Sequence, residues 1–150
     1  MSAPTFPERS RPWQRGVAEL ALACAGSFAA EESSRLRDLI ALLQSCPAGI
    51  EPGLALPQPE RLDELLGANA AAAAVLELFH GVPAGYLLSH GGEGRYLASV
   101  MLPGARAEAN ASGDTAALAL LGAVALALAD LTDGAAGQAE LAAPDGTLLN

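Results

Sequence analysis

The stretch from Ala116 to Ala129 runs fourteen residues without a polar side chain, and it limits the possible folds more than any other segment. As a helix rising 1.5 Å per residue it would reach roughly 21 Å, short of the ~30 Å hydrocarbon layer of a bilayer. The expectation is a buried helix and no membrane span. Asp114 or Thr115 opens it and Asp133-Gly134 closes it. Leu120, Leu121, Val124, Leu128 and Leu131 fall within an arc of roughly 100°, and the remaining arc is mostly Ala with Gly122. A helix over about 115–131 with no charged side has to be covered on nearly all sides.

The segment before it supplies one cover. Tyr86 to His90 and Arg95 to Leu102 are short β-rich runs separated by Gly91-Gly92-Glu93-Gly94, a hairpin pattern. Tyr96, Ala98, Val100 and Leu102 share one face of the second run. Pro103-Gly104 is the favoured central pair of a type II turn. Ala105, Ala107, Ala109 and Ala111 then alternate with Arg106, Glu108 and Asn110, as in a half-buried antiparallel strand. A three-stranded antiparallel sheet over about 86–111 follows. Its Ala-rich face would let the long helix approach closely.

The other cover has to come from the N-terminal helices or from a second copy. Trp13, Val17, Leu20, Cys24 and Phe28 recur at helical spacing, with Pro12 suited to the first helical position. Residues 1–11 read as a flexible leader. Leu36, Leu39, Ile40 and Leu43 restart the stripe in a second helix from about Ser34 to Ser45, with Ser33 or Ser34 as N-cap. One continuous helix over 12–45 is the alternative. Pro47, Pro52, Pro57 and Pro59 mark a loop, and a third helix is expected from Pro59 to His80. Gly67 and Asn69 are candidate breaks in it, and Gly81 fits the left-handed residue after its end. Residues 134–150, with the turn Pro144-Asp145-Gly146, read as a loosely held tail. The expectation is thus one α+β domain over 12–133.

Charge removes several classes of function. The 150 residues include no Lys, 8 Arg and 17 acidic residues, for a net charge of −9. The helix–sheet–helix order resembles the double-stranded-RNA-binding arrangement, but such a module needs a Lys-rich helix start for phosphates. No nucleic-acid partner is expected. Arg9, Arg11 and Arg15 give the first residues a basic character, which reads as a solvated terminus. Neither a secretion signal nor a lipoprotein anchor fits: Glu19 interrupts the apolar run before Ala30, and Ala21 precedes Leu22-Ala23-Cys24 where a Leu is expected. Cys24 and Cys46 are too far apart in either helical arrangement for a disulfide, so both are expected reduced, as in a cytoplasm.

Catalytic signals are sparse. The Gly-rich Ser89–Arg95 segment opens a strand and not a helix, so it reads as a hairpin turn, not a phosphate cradle. His80 and His90 are the two histidines. Neither belongs to a metal-ligand spacing, and no cofactor motif occurs. Ser89 and His90 point to opposite faces of a strand, and Asp63-Glu64 and Glu31-Glu32 do not share a helix face, so no catalytic pair emerges. The favoured reading is a small non-catalytic interaction domain that self-associates as a homodimer, its excess of apolar helix surface covered by a second copy. The alternative is a small-ligand binder or enzyme. Its pocket would lie between the hairpin and the N-terminal helices and would use His80, Tyr86, His90, Arg95 and Tyr96.

Overall fold

In the computed structural model the backbone is described for residues 6–141 and side chains for residues 11–131. The chain is α+β, with a long helix packed on a three-stranded antiparallel sheet. Helix α1 (Phe6–Ala25) leads through a 3₁₀ turn (Ala29–Glu31) into α2 (Glu32–Gln44). Then come α3 (Pro59–Gly67), α4 (Ala71–Leu76) and a second 3₁₀ turn (Glu77–Phe79). Strands β1 (Gly85–His90), β2 (Tyr96–Met101) and β3 (Ala109–Gly113) precede α5 (Ala116–Leu141). Among the described residues no helix is long and apolar enough to cross a membrane.

The N-terminal region holds two helices, not one. The 3₁₀ turn separates them, and the Glu31 carboxylate accepts the Phe28 N–H at 2.9 Å. That contact opens α2 at Glu32, ahead of the serines expected to cap it. Trp13, Val17, Leu20 and Cys24 are buried as their spacing requires, whereas Phe28 lies beyond the end of α1 and is exposed. Helix α1 also begins at Phe6, so Pro12 sits inside it and the supposed leader is helical from residue 6. Pro12 lacks the N–H that would pair with the Glu8 carbonyl, a local loss that the helix tolerates near its start. Trp13 Nε1 donates to the Leu42 carbonyl at 2.7 Å, tying the first turns of α1 to the end of α2.

The third expected helix is broken where its composition is weakest. Asn69 adopts φ +59°, the Asn69 N–H reaches the Leu66 carbonyl at 3.1 Å, and the Ala70 N–H reaches Leu65 at 2.8 Å. This is the paired closure of a Schellman motif, and it ends α3. Gly81 takes φ +70° past the second 3₁₀ turn, as expected of it. Pro103 and Gly104 form the type II turn, with Gly104 at φ +80° and the Ala105 N–H bonded to the Leu102 carbonyl at 3.1 Å.

Two boundaries move. Residues 105–108 are not in a strand; β3 starts at Ala109 and continues to Gly113, because only from Ala109 does the chain lie opposite β2 at Val100. At the other end α5 does not stop at Asp133-Gly134 but continues to Leu141. A single Gly costs about 1 kcal/mol in a helix, and the neighbouring Ala residues offset it. Residues 142–150, including the expected Pro144-Asp145-Gly146 turn, lie outside the described residues.

Helix α5 is the interior rod of the fold. Every residue from Ala117 to Ala125 is buried. Thr115 caps it, its Oγ1 accepting the Leu118 N–H at 3.1 Å. It packs on β2 and β3 of the sheet and on α1, with α2 and α4 also against it. The N-terminal helices therefore supply the cover that the helix demands, and α5 does not need a second copy to be shielded. Small residues set the approach: a Cβ on Gly122 would stand 3.3 Å from the Ala111 Cβ.

Candidate functional site

The five polar and aromatic residues expected to line a pocket fall into two groups on the sheet. His90 stacks on Tyr96 across the β1–β2 pair, ring centroids 4.5 Å apart and planes at 16°. Next to them Arg95 Nη2 donates to the Ala25 carbonyl at 3.4 Å, so the hairpin touches the end of α1. At the start of β1, Tyr86 packs against Phe79 with centroids 5.0 Å apart, and exposed His80 follows Phe79. Tyr86 and His90 are four residues apart on one strand face, roughly 13 Å. The structure thus brings together His90, Tyr96 and Arg95, and places Tyr86 with His80 at the other end.

Among the described residues, two of the surface hollows are lined by none of these five residues. One, of about 380 Å³, lies between α1 and α2. Of its charged side chains, Arg35 and Asp38 are committed within the chain. Arg35 pairs with Glu31 at 3.2 Å and with Asp38 at 3.6 Å. Its Nε also donates to Ser27 Oγ at 2.9 Å, and the buried Ser27 hydroxyl donates to the Ala23 carbonyl at 2.6 Å. Arg35 is a brace for the α1–α2 turn; its spacing from Glu31 and Asp38 signals the ion pairs but not the bond to Ser27.

Cys24 lies beneath this network and is fully buried. Burial pushes its thiol up to about 11; Arg35 opposes the shift and Asp38 adds to it. A thiol that stays protonated at neutral pH is no nucleophile. Burial also pushes the Cys46 thiol up, and its Sγ meets the Ile50 carbonyl at 3.5 Å. Both cysteines are free. Among the described residues no group of His, Cys, Asp and Glu side chains could hold a metal ion.

The second hollow, of about 580 Å³, is the shallow outer face of the sheet, bordered by Leu87, Ser89, Leu97, Ser99, Asn110 and Ser112. Pairing sets its composition. Leu87 lies opposite Ser99 and Ser89 opposite Leu97, while Leu97 and Ser99 face Ser112 and Asn110 on β3. Ser99 Oγ and Asn110 Oδ1 are hydrogen-bonded across this face. Leu87 is 71% exposed, Leu97 51% and Met101 43%. On the other face α5 covers β2 and β3, but β1 reaches past it, so Tyr86 and Leu88 are also largely exposed. All six residues of β1 are exposed.

This apolar surface escaped the sequence reading, although a signal was present. Two adjacent Leu in a strand point to opposite faces, so Leu87 and Leu88 cannot both face one helix layer. The chain matches no family model, no curated protein and no solved structure.

Proposed function

We propose that this chain is a small non-catalytic interaction domain of the cytoplasm that associates with a second copy of itself through its sheet. The exposed apolar surface of β1 and β2 carries the reading: Tyr86, Leu87, Leu88, Leu97 and Met101 stand in solvent on a chain of net charge −9. Leu87, Leu97 and Met101 lie on the outer face and Tyr86 and Leu88 on the other, so the edge of the sheet is apolar on both sides. Exposed apolar surface of this kind marks an interaction site. No member of either strand is charged, so two acidic molecules can meet there without opposing like charges. The chemistry of the other candidate residues supports the same view. Cys24 is buried and protonated, Arg35 is braced by its neighbours, and the five pocket residues are divided between the two ends of β1.

Sedimentation velocity and light scattering on the full chain across the micromolar range test this reading. A mass rising from 15.1 kDa toward twice that value is the expected result. A mass of 15.1 kDa at every concentration overturns it.

A further inference from the structure

Among the described residues strand β1 is an edge strand, paired only with β2 in the order β1-β2-β3. We infer that two copies join edge to edge through β1, antiparallel and centred on Leu88, to make one continuous six-stranded sheet. The inference rests on the self-association proposed above and names its geometry.

The hairpin shows which backbone groups are unused. The Gly91 N–H bonds to the Arg95 carbonyl at 2.7 Å, and the Gly94 N–H bonds to Gly91 at 3.2 Å. Gly91–Arg95 is therefore a hydrogen-bonded pair, and the pairs alternate from there along an antiparallel ladder. Ser89–Leu97, Leu87–Ser99 and Gly85–Met101 exchange bonds within the sheet. The N–H and C=O groups of Tyr86, Leu88 and His90 point away from β2, along the open edge.

Those three residues complement themselves under a two-fold axis. With Leu88 of one copy opposite Leu88 of the other, Tyr86 faces His90 twice, and all three outward residues form hydrogen-bonded pairs. This gives about six inter-chain bonds. His90 already stacks on Tyr96 within its own chain, so Tyr86 of the second copy extends a row of rings across the joint. Charges fit as well. In this register Glu93 comes opposite Pro83, so no acidic groups oppose each other along the joint.

Natural edge strands are usually protected against such pairing by charges, Pro, bulges or a covering element. Gly85–His90 has no charged residue and no Pro, and its one-to-one register with β2 holds no bulge. A six-residue strand edge is only ~20 Å long. The interface sits at the small end of specific dimers, below about 1,200 Å² of buried surface, the size class of weak and transient contacts.

Position-specific variants of the full chain test the register. Leu88→Pro deletes an N–H that β2 does not use, and is expected to return the mass to 15.1 kDa while the thermal melt stays cooperative. In a Cys46→Ser background, Leu88→Cys is expected to cross-link to itself under mild oxidation, because Leu88 pairs sit ~5.5 Å apart between Cα atoms, within disulfide reach. Asn110→Cys, on the opposite sheet edge, is expected not to. A dimer that survives Leu88→Pro, or one that cross-links through Asn110→Cys and not through Leu88→Cys, overturns this geometry and leaves self-association standing. A parent chain that stays monomeric ends both. Should Leu88→Pro fail to fold, the cross-linking pair decides alone.

Discussion

Gly113 and Ala119 meet so closely that a Cβ on the glycine would stand 2.6 Å from the Ala119 backbone nitrogen. Gly113 ends β3 and Ala119 lies in the first turn of α5, so the missing side chain sets how closely the helix descends onto the sheet.

Gly113→Ala is therefore expected to cost about 2–3 kcal/mol, since backbone must move to admit the methyl group. Gly85→Ala serves as the control, having no atom within 4 Å of its added Cβ. Urea denaturation followed through Trp13, buried against the core, reads both; equal stability of the two variants refutes the close approach.

Arg35→Ala is expected to destabilise by about 1–2 kcal/mol, because it removes a hydrogen bond to a buried hydroxyl together with two ion pairs. Arg61, paired with Glu64 at 2.8 Å on an open surface, is expected to change stability by about 0.5 kcal/mol or less on the same substitution. A double-mutant cycle of Arg35→Ala with Ser27→Ala should show coupling between the two sites.

Alkaline stability should carry the mark of Cys24. Its folded value of about 11 lies above the ordinary 9.0, so the unfolded chain releases the thiol proton first as pH rises. The contribution is whole below about pH 9 and is lost progressively between 9 and 11. Cys24→Ala should flatten that part of the stability–pH curve relative to the parent. Native alkylation should favour Cys46, which is half-buried, over Cys24.

Proline substitutions in β1 should differ by strand position. Leu87→Pro removes an N–H used by Ser99 and is expected to cost about 1–3 kcal/mol through the carbonyl left unpaired. Leu88→Pro should cost less than half of that in a dilute, monomeric sample, since its N–H faces the open edge. Thermal melts compare them, and an equal loss would mean the bonding alternation is reversed.

Trp13→Phe should cost about 1 kcal/mol by removing the indole bond to the Leu42 carbonyl while leaving a similar ring in place.

Periodicity made much of the fold legible. The stripes at Trp13, Val17, Leu20 and Cys24, and at Leu36 and Leu39, are buried as their spacing implies. The Gly-rich hairpin, the Pro103-Gly104 turn and the weak point at Asn69 all stand where local backbone preferences put them. Ala-rich segments were harder, because Ala fits strand and helix alike. That is why 105–108 reads as strand, whereas α5 runs past the stop signal at Gly134 because the Ala residues around it offset its cost. Among site residues the stacked His90 and Tyr96 are neighbours through hairpin register, which sequence reveals, whereas Arg35 joins Ser27 and Arg95 joins Ala25 through packing between elements, which it does not.

Local chemistry alone dictated a helix with no charged side that must be interior, a hairpin before it and amphipathic helices ahead of both. Which element would shield the helix was a matter of three-dimensional competition. Helix α1 packs on α5 beside the sheet, and apolar exposure falls instead on β1 and the outer face of β2. Periodicity reports which face of an element is apolar. What that face meets depends on how far each neighbour reaches, and α5 stops short of the edge strand.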